Sequence, residues 1–287
     1  MNKKRQKKTS PMRAPIGIEN DYIRKMDRIL EAYWCEVEFV VISELPGLFA
    51  MRDRAFNLDA SNDFGVALER LLDRLRIRTN SLFTSDRSKA LAYDIGQRTS
   101  NWNSAEWQRT IRIVFGINLF SGRERWLLPL LKTFSLRNAR LIRSIRDVSI
   151  DHISSLLTEA LSSGARWEVV ARQLRARYKT KNFHPQYQKD KNRIRFIARD
   201  QVSKLNGQLT QLRQVDSGVS SYIWRTSLDE RVRKSHKAHE FKKFRWDNPP
   251  AGTGHPGNDF QCRCTAEPVF DKKFLEKNGI INFYPAD

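Results

Sequence analysis

The sequence has little of what staples a small domain or holds a chain in a membrane. Cysteine occurs only three times in 287 residues; an odd count without framework spacing argues against a disulfide scaffold and for a reducing compartment. No apolar run approaches the ~20 residues that span a bilayer, so no membrane partner is expected. The start, Met1-Asn2-Lys3-Lys4-Arg5, lacks the apolar core of a secretory signal, and the chain is expected to remain where it is made. Negative charge is also scarce: 32 acidic residues face 52 Lys and Arg, for a formal net charge of +20. Such an imbalance opposes self-association and draws the molecule toward polyanions through counterion release. An acidic protein partner is the other reading of the same charge. Helix-turn-helix, zinc-finger and RNA-recognition signatures are missing, so contact with double-stranded DNA would be sequence-nonspecific.

What is present is globular. A hydrophobic content of 40% beside 29% charged residues, in a chain this long, can bury a core and divide into two units. Residues 1–18 carry Lys3, Lys4, Arg5, Lys7, Lys8 and Arg13 with two prolines and read as a disordered basic arm, the first candidate for nucleic-acid contact. From Asp21, apolar residues at three- and four-residue steps predict an amphipathic helix ended by Pro46-Gly47, with Cys35 as packing. Further helices are predicted over Val66 to Ile77, from Asn103 to Gly116, and from Pro129 through Ile145. Trp102, Trp107 and Trp126 are their expected packing anchors. From Ile150 a helix leads to a C-cap at Gly164, and another follows from Trp167. Residues 179–192 read as an exposed basic loop, and Ile194 to Leu212 as a long amphipathic helix. Val219 to Thr226, Phe241 to Trp246 and Thr265 to Phe270 have the branched and aromatic content of strands. The fold class is α+β: a mainly helical region over 19–149, then a small mixed α/β domain with a short sheet over 150–287.

The chemistry is concentrated in residues 224–264, which hold three of the five histidines and two of the three cysteines. Trp224, Thr226, Asp229, Arg231, Arg233 and His236 open the stretch. A Pro/Gly-rich loop through His255-Pro256 follows, and Cys262-Arg263-Cys264 closes it. His236 and His239 would share one side of a helix running from Asp229 to Glu240, with Asp229 at its favourable N-terminus. His236, His255, Cys262 and Cys264 supply the donors that tetrahedral zinc accepts. The one-residue Cys spacing is not that of a zinc knuckle and favours a reduced, hydrogen-bonded pair, with no cofactor, over a structural zinc.

The order Trp224, Thr226-x-x-Asp229-x-Arg231-Val232-Arg233-x-x-His236, the His255-Pro256 loop and Cys262-x-Cys264 resembles the phage Mu F-like minor head proteins, also called head morphogenesis proteins. Upstream, Ile197-Ala198-Arg199-Asp200-Gln201 resembles the family's Ile-Ala-Arg-Thr-Glu helix, except that Asp200-Gln201 replaces Thr-Glu. The loop from Thr253 to Phe260 is also longer than a minimal His-Pro-Cys arrangement. The resemblance implies a non-enzymatic protein of the virion head, made in the host cytoplasm. Its implied partners are the portal and other head proteins. It implies a structural role for Trp224, Thr226, Asp229, Arg231, Arg233, His236, His255, Cys262 and Cys264. The rival is a phosphodiesterase or nuclease using Asp229, His236 and His255 as acid and base, with Arg231 and Arg263 as phosphate clamps. No His-Asn-His motif or metal-carboxylate cluster supports it.

Overall fold

The computed structural model describes residues 9, 11–58, 63–119, 124–175, 185–230 and 232–280. The helices are α1 (Ile16–Val37), α2 (Ser43–Leu58), α3 (Asp63–Thr79), α4 (Ser85–Phe115), α5 (Leu127–Ser162), α6 (Trp167–Arg175) and α7 (Pro185–Asp216). The end of the chain alternates β1 (Ser221–Arg225), α8 (Lys234–Lys237), β2 (Lys243–Arg245), β3 (Thr265–Val269) and α9 (Lys272–Lys277). The expected α+β class, helices first and a small sheet last, is what forms.

Two compact units interleave along the chain. One gathers Met1–Asp21, Tyr93–Ser135 and Ala198–Asp287; the other gathers Tyr22–Ala92 and Leu136–Ile197. Residue 150, where the sequence pattern suggested a division, lies inside α5.

Among the described residues, the regular elements of the unit built on Tyr22–Ala92 and Leu136–Ile197 are all helices. Met26, Leu30, Tyr33 and Trp34 of α1 are buried, as are Leu45 and Phe49 of α2, Leu71 and Leu75 of α3, and Ile142 and Ile145 of α5. The expected stop at Pro46-Gly47 does not occur: Pro46 lies inside α2. A π-helical turn over Glu38–Ile42 precedes it, and Ser43 Oγ donates to Phe39 O at 2.6 Å. The wider turn restarts the helix at Ser43, so Pro46, which lacks an N–H, falls in the opening turn of a new segment. The loop expected over 179–192 is also revised. Residues 176–184 lie outside the described part, but from Pro185 the chain is already α7. Tyr187 packs edge-on against Trp34 at 6.0 Å, and buried Asp190 accepts from Trp34 Nε1 (3.1 Å) and Gln186 Nε2 (2.8 Å). These contacts favour helix where the charge pattern alone suggested loop.

The other unit carries the sheet, whose order is β2-β1-β3, all antiparallel. β1 is central: Tyr222 sits opposite Phe244 on one side and Pro268 on the other. Pro268 is tolerated because β3 is an edge strand. One apolar cluster joins Trp107, Ile111, Val114 and Phe115 of α4 to Val219, Phe274 and Leu275. Met12 belongs to it, Arg13 bonds Glu106, and α1 begins at Ile16. The basic arm therefore does not extend to residue 18; its charged part, residues 1–8, lies outside the described residues. A second cluster holds Tyr222, Trp224, Trp246, Cys262, Cys264 and Ala266. Gln214 of α7 ties it in, accepting from Trp246 Nε1 at 3.1 Å and donating to Ala266 O at 3.0 Å. A buried polar network also fixes α7 to α4. Asn103 Nδ2 donates to Asn206 Oδ1 (2.9 Å) and Thr210 Oγ1 (2.8 Å), while Arg213 bonds Asn103, Ser100 and Glu124.

Candidate functional site

The site is assembled by a loop lying on α7. The segment that includes 249–261 has too many Pro and Gly to build a core of its own, so its position is set from outside. Two glycines meet where it crosses the helix. A Cβ on Gly207 of α7 would stand 2.5 Å from Pro256 O, and one on Gly257 would stand 2.9 Å from Ser203 O. Only residues without side chains allow the two backbones this close. Beside them, buried Asp200 holds the loop's far end: Oδ1 accepts from Gln261 N at 3.0 Å, and Oδ2 from Gln201 Nε2 (2.7 Å) and Lys204 Nζ (2.8 Å). Gln261 takes a left-handed φ of 51°. The chain then turns directly into Cys262.

There the two cysteines meet His236. Nδ1 of His236 lies 3.6 Å from Cys262 Sγ and 3.5 Å from Cys264 Sγ, and all three residues are buried. The opposite ring nitrogen, Nε2, is 3.2 Å from Asp259 Oδ2, within ion-pair range though not aligned as a hydrogen bond. Arg233 holds that carboxylate at 3.1 Å and donates to Phe260 O at 3.0 Å. Gly257 N donates to Cys262 Sγ at 3.4 Å. Trp224, fully buried, closes the back, its ring 5.3 Å from that of His236. A hydrogen bond from Cys264 pushes Cys262 well below the usual thiol range, and the proton-holding Cys264 is pushed up by that bond and by burial. His236 is raised in turn, chiefly by its bond with Cys262.

Not every expected residue joins. His255 is buried elsewhere: its Nδ1 pairs with Tyr222 Oη at 2.9 Å and its Nε2 with Trp246 O at 3.2 Å. Burial lowers its pKa, in keeping with a neutral ring used as a structural bridge. Among the described residues the metal-capable group comprises His236, Cys262 and Cys264, without His255. The helix predicted from Asp229 to Glu240 shrinks to α8, and Asp229 lies in a turn after Leu228, whose φ is 55°. Asp229 is therefore not a helix cap. Arg231 lies outside the described residues. Thr226 closes β1, its N–H donating to Glu240, which also accepts from Arg225 Nε at 3.0 Å. His239 pairs with Thr253 Oγ1 at 3.1 Å and packs on Trp224, its ring 5.1 Å away. His236 and His255 have different hydrogen-bond partners, Cys262 and Cys264 for the first, Tyr222 and Trp246 O for the second. Sequence reasoning missed Asp200, Gly207 and Gly257. The signals were the Asp200-Gln201 departure and a glycine inside an otherwise regular helical pattern.

Residues 151–267 match the family model described as "Phage Mu protein F like protein". A protein of Haemophilus influenzae, described only as an uncharacterized protein, is 31% identical over 230 residues, which is 79% of this chain and 49% of that protein. The chain thus spans about half the length of this curated relative. No solved structure matches it.

Proposed function

We propose, from the match of residues 151–267 to the phage Mu protein F-like family model, that the chain is a minor head protein of a tailed phage. It acts in head assembly beside the portal and contacts packaged DNA without reading its sequence. The observation that carries this reading is the family match, which ends just beyond the His236, Cys262 and Cys264 cluster. Burial of that cluster supports a structural role, since a catalytic centre needs a path for substrate. His236 is buried among Trp224, Asp259 and the two cysteines.

DNA contact is supported by charge. Besides the arm, Lys234, Lys237, Lys242 and Lys243 are all exposed within ten residues around α8 and β2. Lysines so placed neutralise phosphates as point charges and carry no base specificity. Among the described residues no helix is long and apolar enough to cross a membrane.

Co-expression of the chain with the portal protein of its own gene cluster tests the proposal. The two should co-purify as a complex that survives gel filtration. A portal ring that forms normally but never retains this chain would overturn the portal association.

A further inference from the structure

We propose that His236, Cys262 and Cys264 bind one zinc ion, through Nδ1 of the histidine and the two thiolates, and that this ion pins the loop to the sheet. The inference does not depend on the head-protein reading.

The ligand spacing is that of a coordination sphere. With Zn–S near 2.3 Å and Zn–N near 2.05 Å at tetrahedral angles, the nitrogen and each sulfur should stand about 3.6 Å apart. The observed separations are 3.6 and 3.5 Å. Two sulfurs converge on the one ring nitrogen. A metal ion satisfies all three donors together.

The surroundings suit an ion as well. Cys262 and Cys264 are two residues apart on the segment leading into β3, where alternate side chains share a face. Arg263 between them turns away to pair with Glu19. A two-residue step thus does here what a wider spacing does at a tight turn. Asp259 stands on the distal nitrogen of His236, the arrangement by which a carboxylate orients a metal-bound imidazole. The Gly257 amide points at Cys262 Sγ and favours its thiolate. Two thiolates cancel the charge of a divalent ion, so the filled site is neutral, as a buried site must be. Mixed imidazole and thiolate donors select zinc over hard cations.

Metal analysis of tag-free full-length protein, purified under reducing conditions without chelator, tests this. About one zinc per chain is expected. Cobalt exchanged into the site should give thiolate-to-cobalt charge transfer and the intense visible bands of a tetrahedral ion. Cys262→Ser and Cys264→Ser should each lose the ion at least about tenfold, while His239→Gln, outside the ligand set, should keep it. Should the cysteine variants fail to fold, wild-type protein stripped by chelator decides: its melting temperature should fall and be restored by zinc alone. Wild-type protein that takes up less than about a tenth of an equivalent after incubation with zinc overturns the proposal. A six-coordinate cobalt spectrum without thiolate bands overturns it too.

Discussion

Replacing Gly207 with Ala tests the seating of the loop on α7, because two effects of known size oppose each other there. In the interior of a helix Ala is better than Gly by about 1 kcal/mol. At Gly207, however, the new Cβ would lie 2.5 Å from Pro256 O and 3.2 Å from Gly257 Cα, both backbone atoms that cannot rotate away. Relief requires the loop to lift, which strains the Gln261 N–H bond to Asp200 and the approach of Cys262 to His236. Overpacking of this kind costs about 1–3 kcal/mol, so the expected result is net destabilisation. Gly47 in α2 is the internal control, being exposed with nothing within 4 Å of its added Cβ. Gly47→Ala should stabilise by up to about 1 kcal/mol. Urea unfolding followed by far-ultraviolet circular dichroism and Trp fluorescence measures both. Hydrogen exchange at the Gln261 amide reports the loop directly and should accelerate in Gly207→Ala only. If Gly207→Ala raised stability as Gly47→Ala does, with Gln261 still protected, the close crossing would be refuted.

Other expectations follow from particular contacts. Asp200→Ala removes the acceptor for Gln261 N, Gln201 and Lys204 and should cost about 1.5–3 kcal/mol by urea titration, with part recovered in Asp200→Asn. Burial pushes Asp190 from its ordinary 3.8 up to about 6. The folded chain therefore holds this proton to higher pH than the unfolded chain, and the contribution to stability, complete below 3.8, is lost as pH rises to about 6, by about 3 kcal/mol. Asp190→Asn should remove that slope, and parallel stability curves for the two proteins across this window would contradict the assignment. Deleting residues 2–8 removes five cations, Lys3, Lys4, Arg5, Lys7 and Lys8. Fluorescence titration with duplex DNA should then show weaker binding and a salt slope shallower by up to about 4.5. Extending the deletion through Arg13 also takes Met12 from the core and should cost a further ~2–5 kcal/mol of stability.

The strands were legible because Tyr222, Ile223 and Trp224 combine aromatic and branched residues within a short run, and their partners carry Phe244 and Val269 in matching positions. Helix existence was legible from apolar spacing, but helix ends were less so. Pro46 looked like a stop because the upstream π turn that accommodates it leaves no mark in hydrophobic periodicity. The stretch after Asp229 looked helical because its charges suit a helix. In the fold Glu240 instead anchors the end of β1 through Thr226 and Arg225, a long-range demand that local propensity does not encode. The same holds for the site. The gathering of His236, Cys262 and Cys264 could be guessed from their density, whereas the exclusion of His255 depends on Tyr222 Oη and Trp246 O lying beside it. Asp200 was visible only as a departure from a family pattern, and its hold on Gln261 emerges when the loop is seen on α7.

The central claim is that this chain is a component of the phage head. Heads purified from the phage or induced prophage that encodes it, treated with nuclease and washed at high salt, should retain the intact chain in few copies per particle when quantified by mass spectrometry against the portal protein. Its absence from such heads, and from procapsids isolated before DNA entry, would contradict the account.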